Sequence, residues 1–509
     1  MKQFLRLLCA CLCCCVLIPL AACGKKNDTP PPGSGETPTS DATGEDYDEN
    51  GYLRDRLPDN LNYGNETFNI LYWNNAPTYE FSIDRESELS AIEEAVFNRN
   101  SAVEERLRVR LKFEGRDGDL SNQSKILRYL DTTVGNGTQN YDLLAMYTMV
   151  SGALMIRGYS RDLMQTEYFS ADMPWWPENL ISEATVGEKL YFASGDISTN
   201  LLWSMYAVLY NRTMLTEYGL NEEYDPDTLA LNGNWTLSTM MEMASNVSGD
   251  IDGTEGKSEK DRFGFSTLAI YGDSFFFGSG LRTTERNDSG ELILSPTFGS
   301  EKTQALLVTL TDFFETDSAW LAYDDNDWSR QPYFAEGNVL LDLRPMYYLP
   351  QVLNAEGSSY KVDYGILPVP KYDDSQREYV TTVGYTYTLY SIPTDTPNAA
   401  RSSAVLEALG SEAYRTTTPA VFVTTMQKRY SKDDRTSMIF DRIRGTVSFD
   451  IGRLLCASFK TKNYANATYR MFRSALGEGD TNWMSTFEGE RKSLESALES
   501  IVARIERIQ

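Results

Sequence analysis

The sequence predicts an α/β protein of two lobes, each a mostly parallel sheet flanked by helices, joined by crossover hinge strands. Three observations predict it. At 509 residues the chain exceeds the roughly 250–300 at which a single core stops growing, so two bodies are expected. Apolar strands and amphipathic helices alternate from residue 66 onward, the pattern of parallel strands linked by crossover helices. Residues 361–393 join a short apolar strand, Tyr364–Leu367, to a second alternating one, Tyr385, Tyr387 and Leu389, through Pro368-Val369-Pro370. Proline fixes φ and pushes its neighbour out of the helical region, so this stretch stays extended and can carry the chain between bodies.

The N-terminus stands apart from the globule. Lys2 and Arg6 precede an apolar run over 7–20, too short for a comfortable membrane span, and then Leu20-Ala21-Ala22-Cys23-Gly24. Basic residues before a short apolar core read as a secretory signal over 1–22. Small residues directly before a cysteine resemble the bacterial lipobox, which implies a lipid on Cys23. Residues 23–60 are rich in Pro, Gly, Ser, Thr and acids, a composition that cannot offset chain entropy, so a disordered tether is expected there. Of the 7 cysteines, five (Cys9, Cys11, Cys13, Cys14, Cys15) fall in the signal and Cys23 is the lipid site. Only Cys456 remains, which excludes an intramolecular disulfide framework. It sits in the apolar run Leu454-Leu455-Cys456-Ala457 and reads as a buried small hydrophobe.

Phe68, Ile70 and Leu71 open a first strand ending at Trp73. Ile92, Ala95, Val96, Val103 and Leu107 give a helix over 91–107, and residues 109–113 alternate as a half-buried strand. A helix over about 120–134 leads to a third strand over 141–146. Residues 189–193 and 207–210 read as further strands. Thr236 is placed to cap a helix carrying Met240, Met243, Ala244 and Val247. Phe334 to Asn338 turn into a strand at 339–342. Beyond 395 the chain is mostly helical, with one helix over 399–409. The last helix, 485–508, carries Leu494, Leu498, Ile501, Ile505 and Ile508 on the face of a lobe-packing helix.

The formal charge is −26; removing residues 1–22 takes away Lys2 and Arg6 and no acid, leaving −28. Such a surface argues against nucleic acid or an anionic bilayer as partner. There are 0 histidines, which excludes Ser-His-Asp and Cys-His catalysis. No Gly-rich phosphate loop, zinc spacing or P-loop appears, so no cofactor is expected. The 73 acidic residues offer many carboxylate pairs, but no spacing singles out an acid and a nucleophile.

Several segments, taken in order, resemble the extracellular solute-binding proteins of family 1, the maltose-binding-protein-like receptors of ABC importers. They are the lipobox, Tyr210-Asn211-Arg212 with Tyr218-Gly219-Leu220, Asn234-Trp235-Thr236, the Phe334–Asn338 turn, and Leu367-Pro368-Val369-Pro370. The resemblance spans residues 66–509. It implies a periplasmic-binding-protein type 2 fold with lobe 1 at 61–203 plus 376–425 and lobe 2 at 204–375 plus 426–509. It also implies hinges near 204, 376 and 425, a monomeric, non-enzymatic receptor anchored outside the cytoplasmic membrane, and ABC permease subunits as partners.

Sugar clefts combine aromatic platforms with fixed polar groups. Ligands of α/β sheets bind beyond the carboxyl ends of strands. The candidates at strand ends and crossovers are Trp73, Asn74, Tyr147, Asp196, Trp203, Tyr206, Tyr271, Arg344, Tyr347, Tyr348 and Tyr385. Core packing competes for each aromatic, and a salt bridge to the other lobe competes for Arg344. A second signal fits a calcium loop at Asp250, Asp252, Gly253, Thr254 and Glu259. It departs from that pattern at its first position, Ser248, and a polar surface loop is the competing reading. The expected function is uptake of an oligosaccharide or glycoside. The alternatives are a glycan-capture protein or hydrolase without a transporter, and a receptor for peptides or cationic solutes.

Overall fold

The computed structural model describes residues 46–78, 80–82, 89–322, 334–349, 362–422, 434–464 and 467–508. The expected signal, Cys23 and the hinge near 425 lie outside the described residues. Strand β1 (Glu66–Trp73) buries Phe68, Ile70, Leu71 and Trp73. The helix Ala91–Leu107 follows with the bounds its periodicity predicts. Its first turn is fixed by a capping box, in which Ser90 accepts from the Glu93 N–H and Glu93 accepts from the Ser90 N–H. Strands β2 (Val109–Arg116) and β3 (Leu143–Tyr147) both pair with β1 in parallel.

The second sheet contains β4 (Tyr206–Asn211), β5 (Ser248–Gly249), β6 (Arg262–Leu268), β7 (Ala319–Ala322), β8 (Val339–Pro345) and β9 (Tyr364–Leu367). Two short strands, β10 (Thr381–Thr382) and β12 (Val447–Ser448), pair with each other; between them β11 (Thr388–Ser391) returns to the first sheet. The strand orders are β11-β3-β1-β2 and β9-β4-β8-β6-β5, with β7 on β6.

The first sheet is mostly parallel, as expected. The second is mixed, which corrects the expectation. Strand β4 runs antiparallel to β8 and β9, and β5 runs antiparallel to β6. The reason is where β4 begins. It leaves directly from the junction between the sheets, at Tyr206, while β8 ends there, at Pro345, paired with it. Residues 361–393 do carry the chain from the second sheet back to the first, from β9 to β11.

Two further expectations need correction. Residues 189–193 are not a strand. They take part only in two isolated bridges, Lys189 with Val186 across a tight turn and Ala193 with Tyr390, and the chain then turns at Gly195. There φ is +150° and a Cβ would lie 2.1 Å from the Trp175 carbonyl oxygen. Residues 46–60, assigned to the tether from composition, pack on the globule. Leu57 is buried, and Asp55 accepts from Arg106 at 2.6 and 2.7 Å. Composition missed this because the segment is held by charge, with few apolar residues.

Cys456 is free and fully buried, and burial pushes its thiol up to about 12. Thr236 caps its helix by accepting from the Thr239 N–H. The last helix, Trp483–Glu506, buries Trp483, Phe487, Leu494, Leu498, Ile501 and Ile505. It lies against both the Thr148–Arg157 helix beside the first sheet and the Glu301–Glu315 helix beside the second. Among the described residues no helix is long and apolar enough to cross a membrane.

Candidate functional site

The junction of the two sheets is built from three chain segments. Ser198 caps the short helix Thr199–Trp203, and the chain then extends through Met205 into β4. Met205 forms an antiparallel bridge with Val383, and the Ser204 carbonyl accepts from the Gly384 N–H at 2.6 Å. On the other side, the Trp203 and Met205 carbonyls accept from the N–H groups of Tyr347 and Met346 at 2.8 and 2.9 Å. Backbone pairing therefore ties the outward and return crossovers to the end of β8.

Most of the sequence-predicted candidates gather on this frame. Tyr206 and Tyr271 pack with ring centroids 5.5 Å apart. Arg344 lies 5.9 Å from the Tyr271 centroid and 5.2 Å from that of Tyr348. Its Nε donates to both Asp342 oxygens at 2.9 Å, a salt bridge within one strand in place of the expected one to the other lobe. Burial, and then Tyr271 and Tyr206 beside it, pushes the Tyr347 phenol far up. Tyr385 lies beneath Arg453, whose guanidinium carbon is 4.0 Å from the ring centroid.

Trp73 and Tyr147 meet on the first sheet's side with centroids 5.3 Å apart. Trp73 Nε1 donates to Thr388 Oγ1 at 2.9 Å, and Thr148 Oγ1 donates to the Tyr385 carbonyl at 2.7 Å. Trp73 and Thr148 are therefore hydrogen-bonded onto the return crossover. Trp73 and Trp203 are buried in the core; Tyr347 and Tyr348 are half-buried and Asn74 is exposed.

Asp196 stands elsewhere. It accepts from Thr418 at 2.8 Å and pairs with Arg444 at 3.3 Å, while burial holds its carboxyl above the usual range. The loop after β5 also differs from its sequence reading. Carboxylate oxygens of Asp250, Asp252 and Asp261 lie within 4.8 Å of one another. Asp261 was not foreseen, Ser248 pairs with Phe263 in β5, and Glu259 is not in the group. Thr254 donates its N–H and hydroxyl to Asp252 at 3.0 and 2.6 Å.

No family model and no curated protein sequence matches this chain. Solved structures do. The GacH receptor of Streptomyces glaucescens, described unliganded and with acarbose, matches with TM-score 0.50 and 13% identity over 87% of this chain and 99% of its own. A cyclic α-maltosyl-1,6-maltose binding protein from Arthrobacter globiformis matches with TM-score 0.52 and 13% identity, over 87% and 99%. UgpB from Mycobacterium tuberculosis, in complex with glycerophosphocholine, gives 0.52 and 13% over 80% and 95%. The chain has the two-lobed fold of the solute-binding proteins.

Within this solute-binding-protein fold, the junction holds residues that sequence reading missed. Arg453 enters from the segment after β12, its Nε 3.5 Å from Asp273 and its Nη1 donating to the Val383 carbonyl. Phe277 and Tyr387 flank it. The available signal was an arginine inside the apolar run Ile451-Gly452-Arg453-Leu454-Leu455.

Proposed function

We propose that this chain is the substrate-binding receptor of an ABC importer. It takes a carbohydrate between its lobes and delivers it to membrane permease subunits without chemical change. The observation that carries the reading is the convergence of Tyr206, Tyr271, Arg344, Tyr347 and Tyr348 where the crossover segments meet. Aromatic faces suit pyranose rings, and fixed polar groups suit their hydroxyls. Contacts made from both lobes would stabilise a closed form for the permease to recognise. The sugar-type ligands of the Streptomyces and Arthrobacter proteins support the choice of ligand. The lipobox-like sequence at Cys23 supports anchoring at the outer face of the cytoplasmic membrane.

Thermal unfolding of residues 46–509 against neutral oligosaccharides, amino acids, peptides and polyamines tests the reading. A ligand at about 100 times its Kd adds roughly 2.7 kcal/mol. A shift with one glycan class and no new reducing ends is expected. Shifts confined to peptides or polyamines would sink the carbohydrate assignment. The net charge of −26 favours a cationic solute as the second reading, and strong salt sensitivity of binding would identify it.

A further inference from the structure

A small cavity lies beside the junction, about 10 Å³ in volume and lined by Phe277, Thr382, Tyr387, Phe449, Asp450 and Arg453 among others. That volume suits one water-sized oxygen. Three of the lining residues are more than nine-tenths buried, and each has a polar atom without a hydrogen-bond partner: Thr382 Oγ1, Tyr387 OH and Arg453 Nη2. Buried polar atoms left unpaired are costly, and three around one cavity call for a common partner. None of the three atoms bonds to a wall residue, the half-buried Ser448 included. Phe277 and Phe449 are apolar, and the Asp450 carboxylate already accepts from the N–H groups of Thr283 and Arg453 and from the Thr284 hydroxyl.

We propose that Thr382, Tyr387 and Arg453 form a hydrogen-bonding site for one oxygen atom that the chain itself does not provide. The partner must accept from the Arg453 N–H and exchange hydrogen bonds with two hydroxyls, which a water or an alcohol oxygen does and an ammonium does not. The walls come from the Asp273–Gly278 helix, the return crossover and the segment after β12. A partner atom there ties these three elements together at the point where the chain passes between the sheets.

Tyr387→Phe and Thr382→Val, made in residues 46–509, test it, with maltotriose as the sugar probe and crystals grown with and without it. If the oxygen is a bound water, sugar-free crystals show one density peak within hydrogen-bond distance of the three atoms. It is lost in the double variant, and the thermal midpoint falls without sugar. If it is a ligand hydroxyl, the peak appears only as part of bound maltotriose. Each variant then weakens maltotriose binding about three- to tenfold, with an unchanged sugar-free midpoint. The second arm rests on the carbohydrate reading; the first does not, so a protein indifferent to maltotriose still decides the site by its sugar-free crystals and midpoint. Crystals without such a peak, together with variants that leave midpoint and affinity unchanged, overturn the proposal.

Discussion

Arg453 is sandwiched between Tyr385, 4.0 Å below its guanidinium carbon, and Asp273, 3.5 Å from its Nε. Both members of the ion pair are almost fully buried, and burial pushes the Asp273 carboxyl up while Arg453 and Arg473 pull it down. A buried pair adds little net stability over an apolar replacement, but removing one partner strands the other. Arg453→Met should therefore destabilise by about 3 kcal/mol, the lower end of the usual range, because Arg473 still faces Asp273. Asp273→Asn in the same chain should recover part of the loss. Urea unfolding of the parent and the two variants measures this, and an Arg453→Met protein as stable as the parent would show that the pair is not buried in solution.

The N-terminal segment offers a test of docking. Asp55 is buried, which raises its carboxyl, but hydrogen bonds and charge from Arg106, with Ser411 adding to them, outweigh burial and hold it below the usual range. A depressed carboxylate adds stability above its unfolded pKa and loses it as pH falls through the folded value. Asp55→Asn should release residues 46–57 and speed proteolysis there at neutral pH. In the parent chain the same sites should open only below about pH 4.

Glu407 carries the opposite sign. Burial raises its carboxyl to about 8, and the Ser170 N–H and Trp176 Nε1 only partly offset this. A raised acid contributes stability that is complete below its unfolded pKa and lost as pH rises through the folded one. The parent should lose up to about 1.4 kcal/mol per pH unit across that window, near 4.5 to 8. Glu407→Gln should flatten the profile and be the more stable form at pH 8. Denaturant midpoints at several pH values decide it; parallel profiles would contradict the assignment.

The loop after β5 should not depend on calcium. Its carboxylates are already engaged: Asp250 accepts from Gly253, Asp252 from Thr254 and Ser258, and Asp261 from Ile251 and Ser258. A chelator should leave the thermal midpoint unchanged, and millimolar calcium should raise it by less than about 2 °C. A larger rise would show that the ion displaces these internal donors.

How much of this was legible from sequence depended on the range of the forces involved. The helix Ala91–Leu107 and strand β2 were readable because apolar period and caps are local. The stretch from Tyr364 to Pro393 was readable as a crossover because its prolines forbid the alternatives. Residues 189–193 misled because an apolar run in the core looks like a strand whether or not a neighbour runs beside it for more than an isolated bridge. Thr382, Tyr387 and Arg453 were invisible as a group because chain topology alone brings Arg453 to the return crossover. Asp261 escaped because the expected ligand spacing ended at Glu259, two residues earlier.

Tyr348 separates the carbohydrate reading from simple packing. Its ring lies 5.2 Å from the Arg344 guanidinium and keeps partial exposure, while Tyr206 and Tyr271 are buried. If a sugar ring stacks at this junction, the half-exposed ring is the one it can reach without unpacking the core. Tyr348→Ala should then weaken binding of the preferred oligosaccharide tenfold or more, about 1.4 kcal/mol, and lower stability by under about 1 kcal/mol because little buried surface is lost. Tyr348→Phe should keep most of the affinity if stacking dominates, and lose it if the phenol oxygen is the contact. Titration calorimetry on both variants reads the difference. An alanine variant with unchanged affinity would place the ligand away from Tyr348.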